Sequence, residues 1–309
     1  MKKKVLITGG LGFIGSNLAH YLLSKGFEIS LIDNLLLGST ENVSDIKDKI
    51  EVIIGDVRNE KDMEKAKNID YIVHLASSSA SPMFWEDLRG SITNNIDGYL
   101  AVLEYAKKFN IKKVVYATTS SIYGNNHTPL KEETSVIPPN FYSVSKLSIE
   151  YLSDIYNKTY GLECIGFRFM SVYGPGEKSK GKYANLASQF LWQMQEGKRP
   201  VIYGDGKQRR DFTNVIDICR AIELGIECRK NFGSRVFNIG SGKDYSLIEL
   251  VEIINNLLRI NLKPIFIKNP MKEGYIYTQL ADLTRIKKEL GYKPSVPLAE
   301  GLRKIKGFN

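Results

Sequence analysis

The chain has little of what metal centres and disulfide scaffolds are made from. Three cysteines and three histidines are scattered over 309 residues, and Cys164, Cys219 and Cys228 have no spacing suited to a metal or a redox pair. No metal is therefore assigned, and the thiols read as free cysteines of a reducing cytoplasm. Long apolar runs are also missing. Nothing approaches the roughly 20 residues of a membrane helix. The Met1-Lys2-Lys3-Lys4 start imitates a secretory leader, but only about three apolar residues follow before the glycines, far short of a leader's core. A soluble, cytoplasmic protein with no membrane partner is expected. Acidic charge is in deficit: 43 Lys and Arg face 34 Asp and Glu, a formal net charge of +9. Nucleic-acid binding is one reading of that balance; solvated lysines plus a site for a dianionic substrate is the other. The basic residues are spread along the chain with no basic helix or RNA-stacking motif, so no nucleic-acid partner is expected. Internal repeats are absent as well.

What is present begins at Val5-Leu6-Ile7-Thr8-Gly9-Gly10-Leu11-Gly12-Phe13-Ile14-Gly15. A short apolar run rich in β-branched residues reads as a buried strand, ended by glycines and followed by helical periodicity from Phe13 to about Leu23. Gly9, Gly12 and Gly15 at every third position suit a tight turn, close approach of a pyrophosphate and packing of helix on strand. The helix N-terminus would then face the phosphates. A second apolar run, Ile29–Ile32, ends at Asp33, about 20 residues on, where a carboxylate can hold an adenosine ribose. Asp33 would repel a 2′-phosphate, and no Arg or Lys follows it before Lys47; the cofactor is read as NAD rather than NADP. As a solvated loop acid Asp33 would look the same.

With 43% hydrophobic residues the chain can bury a large core. Strands are expected at Val5–Thr8, Ile29–Ile32, Val52–Gly55, Tyr71–Leu75 and Val114–Thr118, alternating with helices, which argues for a parallel sheet covered on both faces. Asp56, at the carboxyl end of a third strand reaching Val57, is placed to meet an adenine, or is a plain turn residue. His74 is read as packed and structural. Ala76 and Ser77 are small enough to let a cofactor pass. Helices are expected at Asn94–Phe109, Tyr142–Tyr160, Asn185–Glu196 and Ile216–Ile226, and Gly174–Lys182 reads as a long polar loop.

Tyr142 and Lys146 stand at i and i+4 of a helix, on one face. A phenol with a pKa near 10 is a poor base, but a nearby ammonium and an oxidised nicotinamide favour phenolate, giving a general base for a hydroxyl proton. Thr118-Thr119-Ser120-Ser121 follows the fifth strand; its hydroxyls can hold the same substrate oxygen or satisfy one another in a turn.

Taken together, Thr8-Gly9-Gly10-x-Gly12-Phe13-Ile14-Gly15, Asp33-Asn34, Gly55-Asp56-Val57, His74-Leu75-Ala76, Ser120-Ser121-Ile122-Tyr123-Gly124 and Tyr142-x-x-x-Lys146 resemble the extended short-chain dehydrogenases/reductases. More narrowly, they resemble the nucleotide-sugar epimerase/dehydratase group. The likeness runs from about residue 4 to 304 and includes Arg168–Pro175, Gly204–Phe212 and Leu290–Pro294. It implies an α/β fold: a Rossmann doubly wound parallel sheet (residues 1–168 and 211–239) with a smaller α/β substrate-binding lobe (169–210 and 240–309). It also implies that Tyr142 is the base, Lys146 the ribose ligand that lowers its pKa, and Thr119 the hydroxyl partner. The cofactor-side positions it implies are Gly9, Gly12, Phe13, Ile14, Gly15, Asp33, Asn34, Asp56, Val57, Leu75, Ala76, Ser77 and Asn94. Arg210 matches an arginine for the substrate diphosphate and Tyr203 a residue gripping the base; either could be an ordinary surface Arg or core Tyr.

The departures bear on the reaction. Dehydratases of the group place Asp-Glu after the threonine, and the decarboxylases keep a Glu at the second position; here stand Ser120 and Ser121, which resemble the 4-epimerases. Ser171 replaces a usual asparagine, Lys272 a usual arginine, and Gln279 occupies the position that decides whether a 2-N-acetyl sugar fits. The resemblance implies a UDP-hexose 4-epimerase, with UDP-glucose/UDP-galactose as the default pair and a transient 4-keto sugar. A 4-keto-sugar reductase, a dehydratase or a non-catalytic dinucleotide sensor are the alternatives. A homodimer through the helices at 94–109 and 142–160 is implied too.

Overall fold

The structure, a computed structural model, describes residues 2–269 and 274–305. Its frame is a seven-stranded sheet made of β1 (Lys4–Thr8), β2 (Glu28–Asp33), β3 (Glu51–Ile54), β4 (Tyr71–His74), β5 (Lys113–Thr119), β6 (Cys164–Phe169) and a last strand, Ser234–Ile239. The spatial order is Ser234–Ile239, β6, β5, β4, β1, β2, β3, and every pairing is parallel. All residues of β5 and β6 are buried, as expected where helices cover both faces. Side chains alternate accordingly. Val5, Ile7, Val73 and Val115 join one apolar cluster with Leu18, Leu22, Ile218 and Ile222; Leu6, Ile72 and Val114 join the opposite one with Tyr99, Val102, Leu103 and Ile149. This is the doubly wound Rossmann sheet the sequence implies. Its order reverses beside β1, where β2 lies on one side and β4 on the other, and the crevice at the carboxyl ends of those strands is where such sheets take ligands.

The helices start and stop where local chemistry dictates. Phe141–Tyr160 opens with a capping box, Asn140 accepting from the Ser143 N–H while Ser143 receives the Asn140 N–H, and closes at Gly161 with φ of 72°. Leu247–Leu258 opens with the Ser246/Glu249 box, and Asp87 caps Leu88–Lys108 through the Gly90 N–H. Each cap satisfies donors the first turn leaves orphaned. One difference from expectation matters for the site: β3 stops at Ile54, so Gly55–Val57 lie beyond the sheet.

Beyond β6 the chain builds a third apolar cluster, in which Tyr173, Phe190, Leu191, Ile202, Leu250, Ile254 and Leu302 pack together. Short strand pairs accompany it: Ser171–Tyr173 with Phe212–Asn214, Val201–Tyr203 with Ile265–Ile267, and Arg209–Arg210 with Tyr245–Ser246. Buried carboxylates tie the segments together. Asp217 accepts from the Ser295 and Val296 N–H groups, and Asp211 from those of Ser241, Gly242 and Ala281. A buried network also fastens the elements behind the crevice. Glu150 accepts from Arg168 at 2.7 and 3.1 Å and from the Thr118 hydroxyl at 2.7 Å. Arg168 reaches on to the Tyr123 hydroxyl, which donates to Asn238.

Candidate active site

The carboxyl ends of β1 to β6 surround a cavity of about 380 Å³. At one end the glycine turn shapes the wall. Gly9 has φ of 67°, and a Cβ there would stand 2.7 Å from the Ala76 nitrogen; a Cβ on Gly15 would lie 2.2 Å from the Gly9 oxygen. Both positions are closed to a side chain by the protein's own backbone. Gly12 differs. A Cβ there meets only the Gly9 oxygen, at 3.3 Å, so the space it leaves opens on the cavity. Gly12 precedes helix Phe13–Ser24 without a side-chain cap, and the first turn holds no acid. Uncapped N–H groups, a positive helix end and an open backbone suit a pyrophosphate.

Asp33 closes β2 and is buried. Its carboxylate accepts the Leu11 N–H at 3.0 Å and the Leu35 N–H at 2.8 Å, and burial pushes its pKa up against those bonds. Each oxygen keeps a lone-pair direction for a ligand hydroxyl. Leu75, Ala76 and Ser77 follow β4 along the wall, and Val57 lines it from beyond β3. Asn94 donates to the Ser78 hydroxyl at 3.3 Å, and the neighbouring Asn95 receives the Ser78 N–H at 2.7 Å. His74 stays out of the cavity: buried against Tyr99 and bonded through Nδ1 to the Thr8 hydroxyl, it is pushed down to a pKa of about 3 and is neutral.

At the other end stand Thr119, Tyr142 and Lys146. The Thr119 oxygen accepts the Ser121 N–H at 3.1 Å, which leaves its proton for Tyr142, and this bond lowers the phenol's pKa. Burial acts in the opposite sense and prevails, holding the phenol above its ordinary value. The Lys146 ammonium donates to the Ala117 carbonyl at 3.2 Å, and burial brings its pKa down to about 7. Spacing predicts that the ammonium and an oxidised nicotinamide together draw the phenol toward neutrality; in the protein alone burial governs both groups, raising the phenol and lowering the ammonium. Gln279 donates to the Ser120 hydroxyl at 2.9 Å, and Ser121 and Ser171 complete this end.

The wall thus gathers Gly9, Gly12, Phe13, Ile14, Gly15, Asp33, Asn34, Val57, Leu75, Ala76, Ser77, Asn94, Thr119, Ser120, Ser121, Tyr142, Lys146, Ser171 and Gln279. Three expected residues lie off it. Asp56 sits just outside, held by Arg58 at 2.6 Å and by Asn34, and the arginine keeps its carboxyl far below the usual range. Tyr203 lies half-exposed on its short strand. Arg210 donates to the carbonyls of Arg209, Tyr277 and Ile276. Lys272 lies outside the described residues. The wall also contains residues the sequence did not single out, among them Met170, Lys180, Tyr183 and Asn185. Asn185 could have been found as the cap before Leu186, whose helix it begins; Lys180 carries no such signal. Among the described residues no group of three or more His, Cys, Asp or Glu could hold a metal, and no helix is long and apolar enough to cross a membrane.

Residues 5–240 match the NAD dependent epimerase/dehydratase family. A UDP-N-acetylglucosamine 4-epimerase from Methanobrevibacter ruminantium M1, solved with UDP-N-acetylmuramic acid, is 33% identical with a TM-score of 0.91, covering 100% of this chain and 98% of its own. A UDP-glucuronic acid 4-epimerase from Bacillus cereus, solved with UDP-glucuronic acid and NAD, is 29% identical with a TM-score of 0.88, covering 99% and 98%. A UDP-N-acetyl-alpha-D-glucosaminuronate decarboxylase from Bacillus cytotoxicus is 31% identical over 98% of this chain and 96% of its own. The glycine turn, the buried Asp33 carboxylate and the Tyr/Lys helix fit NAD, and with the match across residues 5–240 the chain belongs to the NAD dependent epimerase/dehydratase family, with NAD as its cofactor.

Proposed function

We propose that the protein is a UDP-hexose 4-epimerase of the UDP-glucose/UDP-galactose type. One observation carries the reading. Among the described residues lining the cavity the sole carboxylate is Asp33, at the far end from Tyr142, so the reacting end offers hydroxyls and an amide but no acid to drive loss of water at C5 and C6. Bound NAD supplies a hydride acceptor for C4 and, when oxidised, a positive charge beside the phenol. Tyr142 takes the proton of the C4 hydroxyl and later returns it to the same oxygen. Thr119 fixes that oxygen by turning to it the proton it otherwise gives to the Tyr142 phenol, while its own oxygen stays held by the Ser121 N–H. Lys146, anchored to the Ala117 carbonyl, holds the ribose and supplies charge that favours phenolate. We read 1–168 and 211–239 as the cofactor-binding part and 169–210 with 240–309 as the sugar-nucleotide lobe. A cytoplasmic homodimer is also part of the proposal. Its support is the exposed apolar set Leu100, Val144, Tyr151 and Ile155 on two neighbouring helices, checked by light scattering.

The test is incubation with UDP-glucose, UDP-N-acetylglucosamine and UDP-glucuronate without added reductant, followed by proton NMR. Inversion at C4 with no net cofactor turnover is expected. A dehydrated or decarboxylated product, or no conversion of any of the three, overturns the proposal.

A further inference from the structure

Glu177–Tyr183, most of which falls in the long polar loop expected at Gly174–Lys182, is a pinned helical wall of the cavity. At its start Glu177 is fully buried, its carboxylate accepting the Asn185 N–H at 2.7 Å and the Ser188 hydroxyl at 2.6 Å. At its end Lys182 and Tyr183 both bind Glu86, at 2.7 and 2.5 Å. Between these anchors Gly181 turns the chain with φ of 51°, and Lys180 faces the cavity with its side chain 18% exposed. It is ion-paired with Glu177 at 3.7 Å, a charge that lowers the buried carboxyl's pKa against the larger effect of burial, while both Glu177 oxygens already accept shorter bonds from Asn185 and Ser188. The ammonium also stands 5.8 Å from the centre of the Phe13 ring, beside the uncapped start of the helix after the glycines. Two sources of positive potential, a lysine with donors to spare and a helix N-terminus, converge on one volume. Arg210, which the sequence offered for a diphosphate, lies off this wall and bonds backbone carbonyls, Lys272 lies outside the described residues, and Lys146, the ribose-side lysine, is at the cavity's other end.

We infer that Lys180 binds a diphosphate oxygen of a nucleotide held in this cavity. That diphosphate belongs either to the dinucleotide or to the nucleotide sugar, and the latter source rests on the function proposed above. A lysine held by a segment fastened at both ends loses little freedom on binding, so its charge-assisted bond should be worth about 10- to 100-fold in affinity.

The experiment titrates wild type, Lys180→Met and Lys180→Arg with UDP and with uridine by calorimetry. NAD released on denaturation is measured in parallel for each protein. If the sugar nucleotide is the source, Lys180→Met weakens UDP by 10-fold or more, leaves uridine unchanged and keeps its NAD. If the dinucleotide is the source, Lys180→Met loses NAD while UDP is unaffected. In both cases Lys180→Arg stays close to wild type. Unchanged UDP affinity together with unchanged NAD content overturns the inference. Wild type that fails to bind UDP overturns the UDP-sugar reading, and NAD content then decides Lys180 by itself.

Discussion

Replacing Glu150 with alanine should cost as much stability as a large cavity-forming change in the core. Glu150 and Arg168 are both nearly inaccessible, their side chains 7% and 8% exposed. Removing the carboxylate strands a guanidinium where water cannot reach it, a loss of about 3–5 kcal/mol for a buried pair broken on one side. Two partners soften the blow, since Arg168 keeps the Tyr123 hydroxyl and the Glu132 carbonyl. One partner adds to it, because the Thr118 hydroxyl loses its acceptor, worth about 1 kcal/mol. About 3 kcal/mol is therefore the working figure, or a fall of about 5 °C in the thermal midpoint of a chain of 309 residues. The double variant Glu150→Leu with Arg168→Met removes both charges and should recover much of the loss. Thermal unfolding followed by circular dichroism on wild type, Glu150→Leu, Arg168→Met and the double variant gives the coupling directly. If Glu150→Ala lies within about 1 kcal/mol of wild type, or the double variant is no better than the single, then the network does not hold the strand of Thr119 to the helix of Tyr142 as argued.

Other expectations are more direct. Tyr142→Phe should keep fold and NAD content but lower kcat by about 10²–10⁴-fold, the span of a general acid–base group, in a coupled epimerase assay. Lys146 has a folded pKa of about 7, below its unfolded value, so between about pH 7 and pH 10 the unfolded chain binds the extra proton and stability rises with pH. Lys146→Met should therefore be more stable than wild type at pH 7 in the cofactor-free protein, with the gap closing as pH approaches 10. Denaturation at a series of pH values reads this, and a gap that widens with pH refutes it. Gly15→Ala must push against the Gly9 carbonyl and should lose stability and NAD together. Gly12→Ala, nearly free of protein contacts, should fold and melt close to wild type yet lose NAD on gel filtration.

Much of this was written plainly in the chain. Gly9, Gly12, Gly15 and Asp33 place the turn and the carboxylate because their roles are local, set by backbone space and by the end of a strand. Tyr142 and Lys146 share a helix face by spacing alone. Roles that depend on who arrives from elsewhere were not legible. Nothing marks Glu177 as an anchor, since its partners Asn185 and Ser188 resemble any helix start. Asp56 lies beyond the end of β3 and off the wall, its carboxylate claimed by Arg58. The phenol's pKa turned on the depth of burial, which periodicity does not reveal. The strand at Val201–Tyr203 is legible in the sequence, but the orientation of Tyr203 and Arg210 depends on how the short strands beyond β6 settle against one another, which no local pattern records.

The discontinuous third cluster bears on synthesis. β6 ends at Phe169, but its outer neighbour runs from Ser234 to Ile239, with the first stretch of that cluster made in between. A ribosome adding 5–20 residues each second would leave the outer edge of the fully buried strand β6 without a partner for on the order of 3–14 s. An unpaired edge of that kind is a template for the wrong strand. The length of the intervening stretch thus sets the window for misassociation, and a homologue with a shorter insertion would pass through it sooner. Because the cavity wall is completed by Gln279, the reacting end is finished only after some nine-tenths of the polypeptide has been made.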